Sequence, residues 1–137
     1  MGWLFTHDSH RSTLVTELTS DRNWTRDDGS KWTAKVVKHC YRGNNFSGVL
    51  WVVWSVSIDG QEKDRFIECN LLRFDKKCNG WGYKDMDESM GPYYYSCPLG
   101  YLELVPELNP EWREGVRTYH ETRKHRRISS RQGVSIL

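Results

Sequence analysis

Residues 48–59 read GVLWVVWSVSID, and the alternation inside this stretch decides the fold. In an extended chain successive side chains point to opposite faces, so Leu50, Val52, Trp54, Val56 and Ile58 share one face. Val49, Trp51 and Val53 make the other face apolar over the first half. A strand that is apolar on both sides must be covered on both sides. The segment therefore predicts the central strand of a sheet, sandwiched between two layers at one end.

Its neighbours follow the same period. In KWTAKVVKHCY (31–41), Trp32, Ala34, Val36 and Cys40 fall on one face, with Lys38 interrupting it. In DRFIECNLLRFD (64–75), Ile67, Cys69 and Leu71 oppose Phe66, Leu72 and Phe74. The connections RGNNFSG (42–48) and DGQEK (59–63) are short and rich in turn residues, which predicts a three-stranded antiparallel meander.

Helical signals flank this meander. Residues 9–20 carry Leu14, Val15 and Leu18 as a narrow apolar stripe, with Asp8 or Ser9 placed to cap the first turn. Residues 21–31, DRNWTRDDGSK, are polar and marked by Gly29, which predicts a loop. A short helix begins near Ser96–Leu99 and is stopped by Pro106. Asn109, Pro110 and Glu111 announce a final helix by cap, first-turn proline and dipole-matched acid, and Trp112, Val116 and Tyr119 recur on one face. From Arg123 the period dissolves into RKHRRISSRQGVSIL. The predicted architecture is α+β: a three-stranded antiparallel sheet with an N-terminal helix and two C-terminal helices packed on one face. Residues 1–127 form one domain and residues 128–137 a flexible basic tail.

The bulk composition narrows the function classes. A chain of 137 residues fits one domain. Only 37% of it is apolar, and the seven tryptophans and seven tyrosines compensate with large buried side chains. The net charge of +2 is too small to indicate a nucleic-acid partner, although residues 107–137 hold seven Lys or Arg against four Glu. No apolar run approaches the ~20 residues of a membrane span. Four cysteines (Cys40, Cys69, Cys78, Cys97) without a secretory pattern predict reduced thiols, and no CxxC spacing marks a metal site. No cofactor is expected.

Residues 79–102, NGWGYKDMDESMGPYYYSCPLGYL, concentrate glycine, tyrosine and charge. Gly80, Gly82 and Gly91 permit tight backbone, and Lys84, Asp85, Asp87 and Glu88 project charge between them. Asp85 and Asp87 are the candidates for a divalent-metal or acid–base site, against the alternative of loop carboxylates that cap and pair locally. Trp81, Tyr83 and Tyr94 could anchor a protein interface or stack on bases, or bury themselves in the core. Cys97, near a helix start, is the candidate thiol nucleophile, with no histidine tied to it by spacing. Arg113 and Arg117 belong to the basic C-terminal end, which could contact phosphates. Trp81, Tyr83, Lys84, Asp85, Asp87, Glu88, Tyr94, Arg113 and Arg117 are together the candidate binding residues.

The segment Gly82–Pro92, GYKDMDESMGP, with Met1-Gly2-Trp3, Cys97-Pro98 and Trp112-Arg113, resembles an uncharacterised family of small proteins carried by phages, plasmids and bacterial genomes. The resemblance covers most of the chain and is close after residue 80. It implies a bacterial or phage cytoplasmic setting on mobile DNA, and no particular chemistry. Three function classes follow. The first is a small non-enzymatic protein that binds a host protein or nucleoprotein complex, inhibiting a host defence system. The second is an enzyme using Asp85, Asp87 or Glu88 on nucleotides or nucleic acid. The third is a nucleic-acid-binding accessory protein using the basic C-terminal end.

Overall fold

The computed structural model describes residues 5–6, 10–75, 80–85 and 95–131. Among the described residues six strands form one antiparallel sheet: β1 (Phe5–Thr6), β2 (Arg22–Thr25), β3 (Lys31–Gly43), β4 (Ser47–Ile58), β5 (Gln61–Asp75) and β6 (Gly80–Asp85). Their spatial order is β1-β6-β5-β4-β3-β2. Helix α1 (His10–Leu18) precedes β2, and α2 (Tyr101–Leu104) and α3 (Pro110–Arg131) follow the sheet. The architecture is α+β with an antiparallel sheet. The expected meander is present as β3–β4–β5, but three strands was too few.

Both extra strands beside that meander come from segments read as loops. β2 arises from the polar stretch 21–31 and pairs with β3, Trp24 opposite Trp32 and Arg22 opposite Ala34. β6 arises from the glycine-rich stretch and pairs with β5 from Asp75 opposite Gly80 to Asn70 opposite Asp85. Residues 80–85 are therefore strand. Neither segment has an apolar alternation of its own. Each is extended because a long, well-specified neighbour offers it a hydrogen-bonding edge.

β4 is central and buried on both faces, as its double apolar pattern requires. On one face, here face A, Val49, Trp51 and Val53 join Ile67, Cys69 and Leu71 of β5. Cys97, Tyr101, Leu102, Val105 and Val116 cover them, so the two C-terminal helices share this face. On the opposite face, face B, Leu50, Val52, Trp54 and Val56 meet Ala34, Leu72, and Leu14 and Leu18 of α1. Two buried tryptophans, Trp51 and Trp54, thus stand on opposite sides of one strand.

The turns are built as the sequence indicates. Asp59 and Gly60 join β4 to β5 with positive φ at both positions (48° and 86°), the backbone of a two-residue hairpin turn matched to strand twist. Asn44 closes the β3–β4 turn, its Oδ1 accepting from the amides of Phe46 and Ser47. In β3 a bulge falls between Val36 and Lys38. It carries Cys40 to face A opposite Trp51 and Tyr41 to face B opposite Leu50, so Cys40 does not share a face with Trp32, Ala34 and Val36.

The caps anticipated for α1, Asp8 and Ser9, lie outside the described residues. In α3 the Asn109 side chain accepts from the Glu111 amide at 2.7 Å, as its position before Pro110 predicts. α3 continues to Arg131, past the end of its apolar period and through the proposed tail boundary at residue 127. Arg and Lys are strong helix formers, and basic residues suit the negative end of the dipole, so the helix needs no buried stripe to extend.

Candidate functional site

α1 lies over the β1–β6 side of face B. Toward the β2 edge the same face carries aromatic and arginine side chains with solvent access. Trp24 is 41% exposed and Phe66 40% exposed. The Trp24 and Trp32 rings stack with centroids 5.9 Å apart and planes 26° from parallel. Cζ of Arg26 sits 4.3 Å from the Trp32 centroid, and Cζ of Arg22 4.5 Å from that of Trp54. At the α1 end of the face, Arg11 stands 5.1 Å over Tyr41. Significant cation–π contacts occur about once per 70–80 residues in proteins, so three on one sheet face form a concentrated feature.

β2 positions this platform. Its alternation sets Arg22 and Trp24 on one side of the strand, and the pairing with β3 aligns Trp24 with Trp32. Polar contacts fix the rings. Trp32 Nε1 donates to Ser30 Oγ at 2.9 Å, and Trp54 Nε1 donates to Glu68 Oε1 at 3.2 Å. Asn70 Nδ2 also donates to Glu68 Oε1, at 3.1 Å, and Arg22 lies 3.8 Å from the same oxygen. Hydrogen bonds from the side chain and amide of Ser30 hold the Asp28 carboxyl below its ordinary range, beside Arg26. The platform is a mixed-charge surface with exposed tryptophan.

The residues singled out by sequence lie elsewhere. Trp81, Tyr83, Lys84 and Asp85 are on β6, separated from β2 by β5, β4 and β3. Asp87, Glu88 and Tyr94 fall outside the described residues. Arg113 donates to the carbonyls of Leu102, Val105 and Pro106 at 2.7–3.0 Å, which ties the C-terminal end of α2 to α3. Arg117 is exposed on α3, 3.7 Å from Glu114. Sequence reading missed Arg22, Trp24, Arg26, Trp32, Trp54 and Phe66 as a group. The signal was Arg22-Asn23-Trp24-Thr25-Arg26, an alternation of guanidinium and indole within a stretch taken for loop.

The two buried thiols, Cys69 and Cys97, are poor reactive groups. Burial pushes Cys97 up to about 11 and Cys69 up to about 12, which leaves both protonated and non-nucleophilic at neutral pH. That removes the physical basis for Cys97 as a nucleophile. Among the described residues no group of three or more His, Cys, Asp or Glu side chains could hold a metal ion.

No protein-family model matches the sequence, and no curated protein or solved structure is significantly similar to it.

Proposed function

We propose that the protein is a non-enzymatic binding module that engages a host protein, free or within a nucleoprotein complex, through the arginine–tryptophan platform of face B. The observation that carries the reading is the Trp24–Trp32 stack at an exposed strand, flanked by Arg26 and Arg22. Tryptophan and arginine dominate interface hot spots because they combine large apolar area with directed polar groups. Here the rings are already stacked against each other and against an arginine, which lowers the side-chain entropy still to be lost on binding. Asp21, Asp27, Asp28 and Glu68 are interleaved with the arginines, a pattern that opposes a polyphosphate backbone and suits a protein surface of mixed charge. The setting on mobile DNA rests on the family resemblance of residues 82–92, and inhibition of a host defence system is a proposal made for that setting, not a property the resemblance supplies.

Affinity capture from bacterial lysate, with wild type beside Trp24→Ala and Arg26→Glu, tests the reading. Both variants leave the buried core intact and should lose the same captured protein. Equal recovery with wild type and both variants would remove the platform from the function.

A further inference from the structure

On face A, opposite the platform, a cavity of about 290 Å³ opens between α3 and the end of the sheet formed by β3 and β4. Arg42, Trp51, Ser96, Tyr119 and Arg123 line it, and among the described residues no carboxylate does. Two arginines lining one small cavity place like charges at one site, which an anion bound there would offset. Three other arginines have oxygen partners: Arg65 pairs with Glu62, Arg117 with Glu114, and Arg113 with three carbonyls. Among the described residues Arg42 contacts the Trp51 ring face at 5.8 Å and pairs with no carboxylate. Arg123 donates weakly to the Tyr119 hydroxyl at 3.4 Å and likewise has no acidic partner among them. Their charge-assisted donors remain for a ligand.

We propose that this cavity is a phosphate site, in which Arg42 and Arg123 hold the phosphate or phosphate ester of a ligand beside Ser96 and Tyr119. A wider cleft along α3 shares Tyr119 and Arg123 with the cavity and extends past Tyr95 to Glu111 and Glu114. The combined groove is therefore polar in the electrical sense, basic at the Arg42 end and acidic at the Glu111 end. That field directs an ester with its phosphate toward the arginines and its organic part along α3. Tyr95, 38% exposed, and Tyr119 offer flat rings on which a planar organic group can stack. The site is independent of the face B platform, and either can fail without the other.

Calorimetric titration of the full chain with pyrophosphate and with a nucleoside monophosphate tests the site. Saturable binding is expected, weakening with added salt and falling by about tenfold or more in Arg42→Gln and in Arg123→Gln. Both residues are surface-exposed, so ligand-free melting temperatures should stay near wild type. Lys63→Gln, an equal charge change in the β4–β5 hairpin, should bind as wild type does. A short single-stranded oligonucleotide distinguishes the sources of phosphate. A nucleic-acid backbone gains about tenfold or more over the monophosphate, whereas a free phosphate ester gains nothing. Absence of saturable binding up to ~10 mM of either small probe would overturn the proposal, as would equal weakening in Lys63→Gln.

Discussion

The Arg22 guanidinium lies over the Trp54 ring, 4.5 Å from its centroid, so that a side chain from the edge strand closes over one from the centre of the sheet. The same guanidinium stands 3.8 Å from Glu68, the acceptor of the Trp54 indole N–H. One arginine thus lids the ring and offsets the charge of the carboxylate that orients it.

Removing that arginine exposes Trp54 and leaves Glu68 without its cation. Arg22→Ala should destabilise the fold by about 1–2 kcal/mol, combining a partly desolvated cation–π contact with a half-exposed ion pair. The melting temperature should fall by about 2–8 °C per kcal/mol. Arg22→Lys should recover only part of the loss, because an ammonium lacks the flat guanidinium that stacks on the indole. Thermal unfolding monitored by tryptophan fluorescence reads both, and an unchanged Arg22→Ala variant would show that the stack contributes nothing to stability.

Gly48 tests packing at the other end of β4. It is buried opposite Gly43, and a Cβ there would press into the Tyr41 phenol and approach the Arg42 carbonyl oxygen at 2.7 Å. The Tyr41 hydroxyl donates to the Asn44 carbonyl at 2.9 Å and so cannot swing away freely. Gly48→Ala should cost about 1–3 kcal/mol by overpacking, measured as a shift in urea midpoint. In Tyr41→Leu the same substitution should cost clearly less, since much of the obstructing ring is gone. Equal costs in the two backgrounds would assign the effect to the backbone instead.

How far the sequence could be read depended on which residues carry an apolar period. β4 and β5 were legible residue by residue, because Leu50, Val52, Trp54 and Val56 alternate with Val49, Trp51 and Val53 and both sets are buried. In β3 the visible trace of the bulge was Lys38 interrupting an apolar face. The chain resolves the conflict by looping out one residue at Val37, which keeps Cys40 beneath the C-terminal helices and Tyr41 under Arg11. β2 was illegible by hydrophobicity, since its alternation is of arginine and tryptophan against asparagine and threonine. The platform was hidden with it: Trp24 and Trp32 are eight positions apart with a turn between them, and only strand pairing makes them neighbours. β6 was obscured by Gly80 and Gly82, which weaken strand propensity and leave the decision to its partner β5.

The start of α3 rests on one side chain. Asn109 Oδ1 takes the Glu111 amide at 2.7 Å, and the helix it opens carries Val116 into the core and Arg113 against the carbonyls of α2. Asn109→Ala should cost about 1 kcal/mol, and Asn109→Asp should be near neutral because aspartate caps equally well and suits the positive end of the dipole. Chemical denaturation of the two variants side by side checks this. Equal loss in both would mean that the cap is not what Asn109 contributes.

The last prediction concerns alkaline pH and the buried cluster on face A. Burial is the main force on all three of its titrating groups: Cys69 is pushed from 9.0 to about 12, Cys97 from 9.0 to about 11, and Tyr101 from 10.0 to about 12. The Tyr101 hydroxyl is buried with no hydrogen-bond partner among the described residues, and burial outweighs the opposing pull of the Arg42 charge. In the unfolded chain these groups lose their protons near their ordinary values, whereas the folded protein keeps them. Below about pH 8 both states hold the same protons, and the cluster's contribution to stability is fully present and flat. Above that the unfolded state binds fewer protons, so stability must decline as pH rises, continuing until the folded groups themselves ionise near 11–12. Each fully out-of-step group adds at most about 1.4 kcal/mol per pH unit to the slope. Urea unfolding between about pH 8 and pH 10.5 should therefore show a steady loss for wild type, and a shallower one for Cys69→Ala and Cys97→Ala measured against their own values at the low end. The same protection predicts that iodoacetamide modifies Cys69 and Cys97 in the folded protein far more slowly than in urea. A decline of identical slope in wild type and both variants would show that the thiols are not the groups whose protons the fold retains.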